Sequence, residues 1–422
     1  KEGGHLSFLV PAGVIRSKGT YNIREYIISI ASYLEYVIFD NKKRYFNIDT
    51  RFKFLSISLE KKNNNESLKN FYISFANKIQ DNNQITDKVN ISIEELRKHR
   101  PDLTVPEVHN QKELDLFFRI YNNGRLWGNT EDEWKANISR EIDMTNDRDS
   151  FMKMQENDNI PVIEGRMVQQ YRFGAKAYVS GCGRSAVWEP STSGCIPQFY
   201  YNLKDIKSKN RNRIHISRVG FCDIAGQTNE RAMMSTIIPE GVICGNKVPT
   251  IVFQNGDAES LSYLWVAISN SFVFDWMIRR IISTTINFFI LFSIPIPKID
   301  TKSDIAKRII CNTKKLLSFD KEYYKDDIMG DIRAEIEVEI ALLYGLDLED
   351  MKIVLSDFPL LDRGQAPINN EEKSTVSKDY IMYHFCKAIG KDCRFYKERV
   401  ICERSIKSKP FIPSEMSILS IA

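Results

Sequence analysis

"KEGGHLSFLVPAGVI" (residues 1–15) is the stretch that sets the reading of the fold. Gly3-Gly4 makes a turn, Leu6 to Val10 is a short apolar run, and Pro11-Ala12-Gly13 breaks it. Such a run reads as a buried interior strand ending in a loop. Helical spacing follows at Ile23, Ile27, Ile30 and Ala31, within Asn22 to Tyr33. Tyr36 to Phe39 and Arg51 to Leu59 then read as strands, separated by the turn-rich Asp40-Asn41-Lys42-Lys43-Arg44. Strand, helix, strand, strand suits the closing half of an α/β sheet that ends in an antiparallel hairpin.

The chain has 422 residues, 43% hydrophobic and 27% charged, as in ordinary globular proteins. That length suggests two to three domains. A net charge of +4 is mild, so a polyanion-binding surface has to come from local clustering. The eight cysteines are scattered with no CxxC pair, and reduced thiols in a cytosolic protein are expected. The spacing of Cys386, Cys393 and His384 fits no common zinc motif. Asp275, Arg279 and Arg280 interrupt the most apolar region, Leu261 to Pro297, which argues against a membrane span.

Beyond the opening sheet, residues 62–95 are polar, with Asn63-Asn64-Asn65 and Asp81-Asn82-Asn83, and read as a linker or inserted arm. Helix is expected around Leu114 to Tyr121. From 160 to about 300 the texture is β-rich, with short runs, glycines and aromatics. Residues 301–356 turn helical, with Ile332, Ile336, Ile340 and Leu343 at core spacing. The domains expected are therefore 1–61, a connector at 62–150, a β-rich domain at 151–300, a helical segment at 301–363, and a polar linker and basic tail at 364–422.

Two stretches carry candidate chemistry. "KDIKSKNRNRIHISR" (204–218) holds Lys204, Lys207, Lys209, Arg211, Arg213 and Arg218 against the single acid Asp205. As a strand over 210–218 it would put Arg211, Arg213, His215 and Ser217 on one face. That face is either a phosphate-contacting surface or a solvated edge strand guarded against aggregation. "VIEGRMVQQYRFGAKAYVSGCGRSAVWEP" (162–190) interleaves Arg166, Gln169, Gln170, Arg172, Lys176 and Arg184 with Tyr171, Phe173, Tyr178 and Trp188. Arg and Gln read base edges and aromatics stack, but a small β domain with a polar surface gives the same pattern. "SGCGRS" (180–185) lacks the spacing and lysine of a phosphate loop. No GxSxG or HExxH occurs. His5, His99, His109, His215 and His384 are isolated.

Taken in order, several segments resemble the large adenine-specific DNA methyltransferases of restriction-modification and phage defence: type IIG enzymes and the related BREX and DISARM methylases, with a TaqI-like target-recognition domain. "GGHLSFLVPAGVIRSKGTYNIREYI" (3–27) resembles the strand and helix after the catalytic motif, and "VIFDNKKRYFNIDTRFKFLSISLEK" (37–61) the closing hairpin. "REIDMTNDRDSF" (140–151), "IPVIEGRMVQQY" (160–171), "VGFCDIAGQTNERAMMSTIIPEGVICGN" (219–246) and "TTINFFILFSIPIPK" (284–298) are similar to successive parts of the recognition domain. "RAEIEVEIALLYGLDLEDMKIVLSDFPLLDR" (333–363) resembles the helical C-terminal segment.

The resemblance implies a fold: the closing half of a class I methyltransferase sheet (α/β), then an α+β part with a β-rich target-recognition domain and a helical segment. It also implies S-adenosylmethionine as cofactor of the intact enzyme, duplex DNA as partner, and a cytoplasmic, nucleoid-associated location. Phe46 is implied as the aromatic that stacks on the flipped adenine, with Phe39 as runner-up. DNA contacts are implied for Arg166, Gln169, Lys176, Arg184, Lys207, Lys209, Arg211, Arg213, Arg218, Asn229 and Arg231. Cys222 stands where relatives often carry arginine.

Neither a DPxxGxG-type cofactor loop nor an NPPY/NPPF motif occurs in the 422 residues, and both would precede Lys1 in the family order. The chain alone is therefore expected to bind DNA without methylating it, with the catalytic half or a separate modification or restriction subunit as partner. A non-catalytic specificity subunit and a protein-binding scaffold are the alternatives.

Overall fold

The computed structural model describes residues 3–50, 52–62, 67–76, 88–127, 131–191, 194–226, 229–282, 284–318, 327–363 and 365–406. It divides into two compact units, Lys1–Asn123 with Arg279–Thr284, and Gly124–Ile278 with Thr285–Ala422. Both mix helix and sheet, as the sequence suggests.

The first unit is built on one five-stranded sheet, formed by β1 (His5–Pro11), β2 (Ala31–Asp40), β3 (Lys53–Lys61), β4 (Asn70–Ala76) and β5 (Val89–Ser92). The spatial order is β1-β3-β2-β4-β5. β3 runs antiparallel to both β1 and β2, and β4 runs parallel to β2. The expected hairpin is therefore present, with Phe39 opposite Phe54 and Asp40 opposite Lys53. The polar stretch expected as a linker instead supplies β4 and β5, because Phe71, Ile73, Val89 and Ile91 bury their side chains in the sheet.

β1 forms where expected but is not buried. It pairs with β3, its other edge is unpaired among the described residues, and Leu6, Phe8 and Leu9 are exposed. The helix Tyr21–Ile30 turns Arg24, Ile27 and Ile28 inward, leaving Ile23 outside. Arg24 is fully buried because backbone oxygens receive its guanidinium: Val14 at 2.7 Å, Ser17 at 2.8 Å and Asp102 at 2.6 Å.

The second unit holds two four-stranded sheets. Ser235–Ile238, Arg218–Phe221, Thr250–Phe253 and Ala136–Ser139 form one, antiparallel throughout. Ile243–Cys244, Asn159–Ile163, Tyr200–Asn202 and Phe151–Met152 form the other, whose first pair is parallel. Gly220 is required in its strand, since a Cβ there would lie 2.5 Å from Ile238 Cγ1.

Glu141 ties the two sheets together. Its fully buried carboxylate accepts from Arg218 Nε at 2.6 Å and Nη2 at 2.8 Å, from the Cys244 amide at 2.8 Å and from Thr250 Oγ1 at 2.7 Å. Four donors satisfy the buried charge, which is the condition for keeping one out of water.

The apolar stretch from 261 to 297 becomes core. Leu264, Trp265, Phe274 and Trp276, on the helices Ala258–Asn270 and Phe272–Arg279, have no exposed surface. No single described helix is long and apolar enough to cross a membrane; these two meet at a 61° bend. The expected helices follow at Asp304–Ser318, Asp327–Leu343 and Leu348–Ser356. The stretch expected as a polar linker and tail carries two more, Val376–Ala388 and Arg394–Ser405. Arg399 anchors them by donating to Asp379 at 2.8 Å and to Glu371 at 2.8 and 2.9 Å.

A second buried charge cluster joins the helices Phe272–Arg279 and Asp327–Leu343. Arg231 pairs with Asp275 at 2.8 Å, and the Glu337 carboxylate accepts from the Phe272 amide at 2.8 Å. Burial pushes Glu337 up to about 7, against the pull of Arg231.

Two outcomes are expected. Glu141→Ala leaves Arg218 as an unpaired buried charge and lowers unfolding stability by about 3–5 kcal/mol in urea titration. Glu337 binds its proton more tightly folded than unfolded, so its stabilising share is full below pH 4.5 and is lost as pH rises through about 7. Relative to Glu337→Gln, the native chain should therefore lose melting temperature between pH 5 and 8. Parallel pH profiles would contradict this.

Candidate nucleic-acid interface

The tip of the β2–β3 hairpin is the most developed candidate surface of the first unit. Lys42, Lys43 and Arg44 are exposed there, and so are Tyr45, Phe46, Ile48 and Phe52. Arg44 takes a left-handed backbone conformation, φ 55°. Cations interleaved with accessible aromatics can hold a phosphate chain and stack on a base.

The tip is held from beneath by Asn41, which is fully buried. Its Nδ2 donates to Phe46 O at 3.0 Å and Ile48 O at 3.3 Å, while the Phe46 amide donates to Asn41 Oδ1 at 3.0 Å. Phe54 supplies the apolar floor. Phe39 stacks on it with centroids 5.0 Å apart and planes 4° apart, whereas Phe46 meets it at 4.9 Å and 81°. Phe39 thus spends a ring face on packing, and Phe46 remains 43% exposed.

Behind the hairpin, Glu107 receives both Arg16 and Lys53. Burial, and then the neighbouring Arg16 charge, push the Lys53 ammonium down to about 7, against the pull of Asp40.

In the second unit the expected strand over 210–218 is instead a helical turn, Ser208–Arg211, then a 3₁₀ turn, Asn212–His215, with strand starting at Arg218. The buried Asn210 side chain donates to Glu141 O at 2.6 Å and holds the helical turn in place. Arg213 and Arg218 are consequently not on a shared outer face. Arg213 is buried, donating to Thr250 Oγ1 at 3.0 Å and Asn137 O at 2.8 Å, and Arg218 is committed to Glu141. Lys207, Lys209 and Arg211 are exposed, with Lys207 3.1 Å from Asp147.

Gln169, Lys176 and Arg231 are also buried, which removes them from any outer surface, and Arg231 is held by Asp275. Gln170 is buried as well, donating to Asn270 O at 3.1 Å. Arg166 is partly exposed, its guanidinium 5.0 Å from the Trp188 ring centroid. Asn229 is partly exposed too. The Arg184 side chain lies outside the described residues. Gly181 of "SGCGRS" closes a turn on itself: a Cβ there would sit 2.3 Å from Ser185 O, so the close approach is to its own loop. No group of three or more metal-ligating side chains occurs among the described residues.

In the sequence, Asn41 and the three adjacent cations read as turn formers, and the buried clamp made by Asn41 is not visible. An asparagine in a lysine-rich turn carries no local sign of burial.

No protein-family model matches the sequence, and no curated protein does. Among solved structures, the chain is similar to the type IIG restriction endonuclease BpuSI, with 12% identity over 85% of this chain and 47% of that one, TM-score 0.35. It is also similar to the type IIL restriction-modification enzyme MmeI in complex with DNA, with 9% identity over 84% and 49%, TM-score 0.45. The third is the ATP-dependent type ISP enzyme LlaBIII bound to DNA, with 9% identity over 78% and 26%, TM-score 0.33. The chain spans about half or less of the length of these proteins. Likenesses of this size assign no residue a role.

If Asn41 holds the tip, Asn41→Ala should strip hydrogen-exchange protection from the Phe46 amide and cost about 1–3 kcal/mol of stability. Unchanged exchange at Phe46 would contradict the clamp.

Proposed function

We propose that the chain is the DNA-binding and target-recognition part of a site-specific adenine DNA methyltransferase of the restriction-modification or phage-defence kind. The observation that carries this reading is the clamped hairpin tip. The segment resembling the family's closing hairpin holds Phe46 half-exposed on an aromatic floor, beside three exposed cations. Such a tip suits a base rotated out of a duplex, whose backbone the cations grip.

The sheet adds support. A strand inserted antiparallel between β1 and β2 agrees with the reversed hairpin that the resemblance implies. The apolar edge of β1, unpaired among the described residues, suits pairing with the catalytic half or subunit that carries the missing motifs. Base and phosphate contacts in the second unit fall to Arg166, Asn229, Lys207, Lys209 and Arg211, the sequence candidates whose side chains reach its surface.

No residue of this chain is assigned to S-adenosylmethionine, because a DPxxGxG-type cofactor loop does not occur in the 422 residues. Methyl transfer is therefore not assigned to this chain alone.

The purified chain should bind duplex DNA with affinity that falls steeply as salt rises, each phosphate contact contributing about 0.9 to the slope of log K against log salt. Replacing Lys42, Lys43 and Arg44 together by alanine should flatten that slope by about 2 to 3. No methyl group should pass from labelled S-adenosylmethionine to duplex DNA. Salt-insensitive binding would overturn the DNA reading, and methyl transfer would overturn the division of labour.

A further inference from the structure

The helix Asp304–Ser318 has one face that neither the sheets nor the ionic clusters use. Ala306, Ile309, Thr313 and Leu316 point into the protein, so Lys307, Cys311, Lys314, Lys315 and Ser318 point out. These positions repeat at three- and four-residue intervals, so their side chains lie along one side. Together with Ser260 and Lys302 they line an open groove of about 890 Å³. Among the described residues, its lining contains four lysines and no carboxylate.

Acids occur at the rim. Lys314 is 3.0 Å from Glu259, and Lys307 is 3.4 Å from Asp304. Both pairs are largely exposed, and exposed pairs contribute only about 0–1 kcal/mol, so a stronger anion displaces them readily. Lys315 donates to the neutral Asn312 at 3.3 Å, and Glu335 and Glu339 line the neighbouring groove on its other side. From Lys307 to Lys315 the helix rises about 12 Å, the axial length of three to four nucleotides of one strand.

An apolar small molecule would want enclosure, which this open cationic trough does not offer. A chain of regularly spaced phosphates needs what is present: exposed ammonium groups in a row, with the hydroxyls of Ser260 and Ser318 lining the same groove.

We infer that the groove along Asp304–Ser318 is a further contact for the sugar-phosphate backbone of duplex DNA, positioning the duplex without reading its sequence. This rests on the reading of the chain as a DNA-binding protein. It places backbone contacts on the helical segment, outside every stretch for which the sequence suggests them.

The test pairs a variant with a footprint. Lys302→Ala, Lys307→Ala and Lys315→Ala combined should flatten the salt dependence of duplex binding by about 2 to 3, with similar effect on unrelated DNA sequences. These side chains are exposed, so circular dichroism should be unchanged. In the unmodified chain, duplex DNA at low salt should slow iodoacetamide labelling of Cys311 at least fivefold. Exposed Cys402 should label at its free rate. An unchanged slope with unprotected Cys311, in a chain that still binds duplex, would overturn the groove alone. So would protection of Cys311 by polyglutamate but not by duplex. Failure of the native chain to bind duplex at any salt would overturn the proposed function, and the groove's assignment with it.

Discussion

The second unit depends on one buried carboxylate. Glu141 lies two residues beyond the end of the strand Ala136–Ser139 and is met by donors from three other strands: Arg218, Cys244 and Thr250. Arg218 and Thr250 lie in the same sheet as Ala136–Ser139, and Cys244 lies in the other, so one side chain sets how the two sheets are joined. The charge cannot move without leaving Arg218 orphaned in the interior, and that cost fixes the arrangement more tightly than apolar packing alone. It also decides the surface. Because Asn210 reaches the Glu141 carbonyl and Arg213 fills the carbonyl-rich space beside Thr250, the cationic stretch 204–218 is split. Lys204, Lys207, Lys209 and Arg211 face water, whereas Arg213 and Arg218 are buried.

The first unit applies the same principle to a loop. Asn41 has no charge to bury, but its amide satisfies three backbone groups of the tip that water would otherwise have to reach. The result is an aromatic held in place and still accessible. Polar groups inside thus organise what is displayed outside, at Glu141 by fixing sheets and at Asn41 by fixing a loop.

Much of the local order was legible. A short apolar run located β1, strand-like runs located β2 and β3, the latter by alternation, and three- and four-residue spacing located Asp327–Leu343. The hairpin itself was legible, and its register, with Phe39 against Phe54, is what the structure adds. What could not be read was direction. Arg213, Arg218, Arg231 and Lys176 look like surface cations in sequence, because charge usually means solvent, and each is buried. The partners that permit burial, Glu141 and Asp275, lie 77 and 44 positions away from Arg218 and Arg231. β1 fails in the opposite sense: its apolar residues suggest an interior, yet its outer edge is unpaired among the described residues. The lysine face of Asp304–Ser318 went unnoticed because its cations are spread over a helix and diluted by neighbouring acids.

In the proposed function, Phe46 is held ready for a base taken out of a duplex. The most direct measurement compares affinity for two duplexes identical except that one carries a single unpaired adenine. Opening a base costs less where it is already unpaired, so the chain should prefer the unpaired adenine, and Phe46→Ala should abolish that preference while leaving salt dependence intact. Equal affinity of the native chain for both duplexes would contradict the claim.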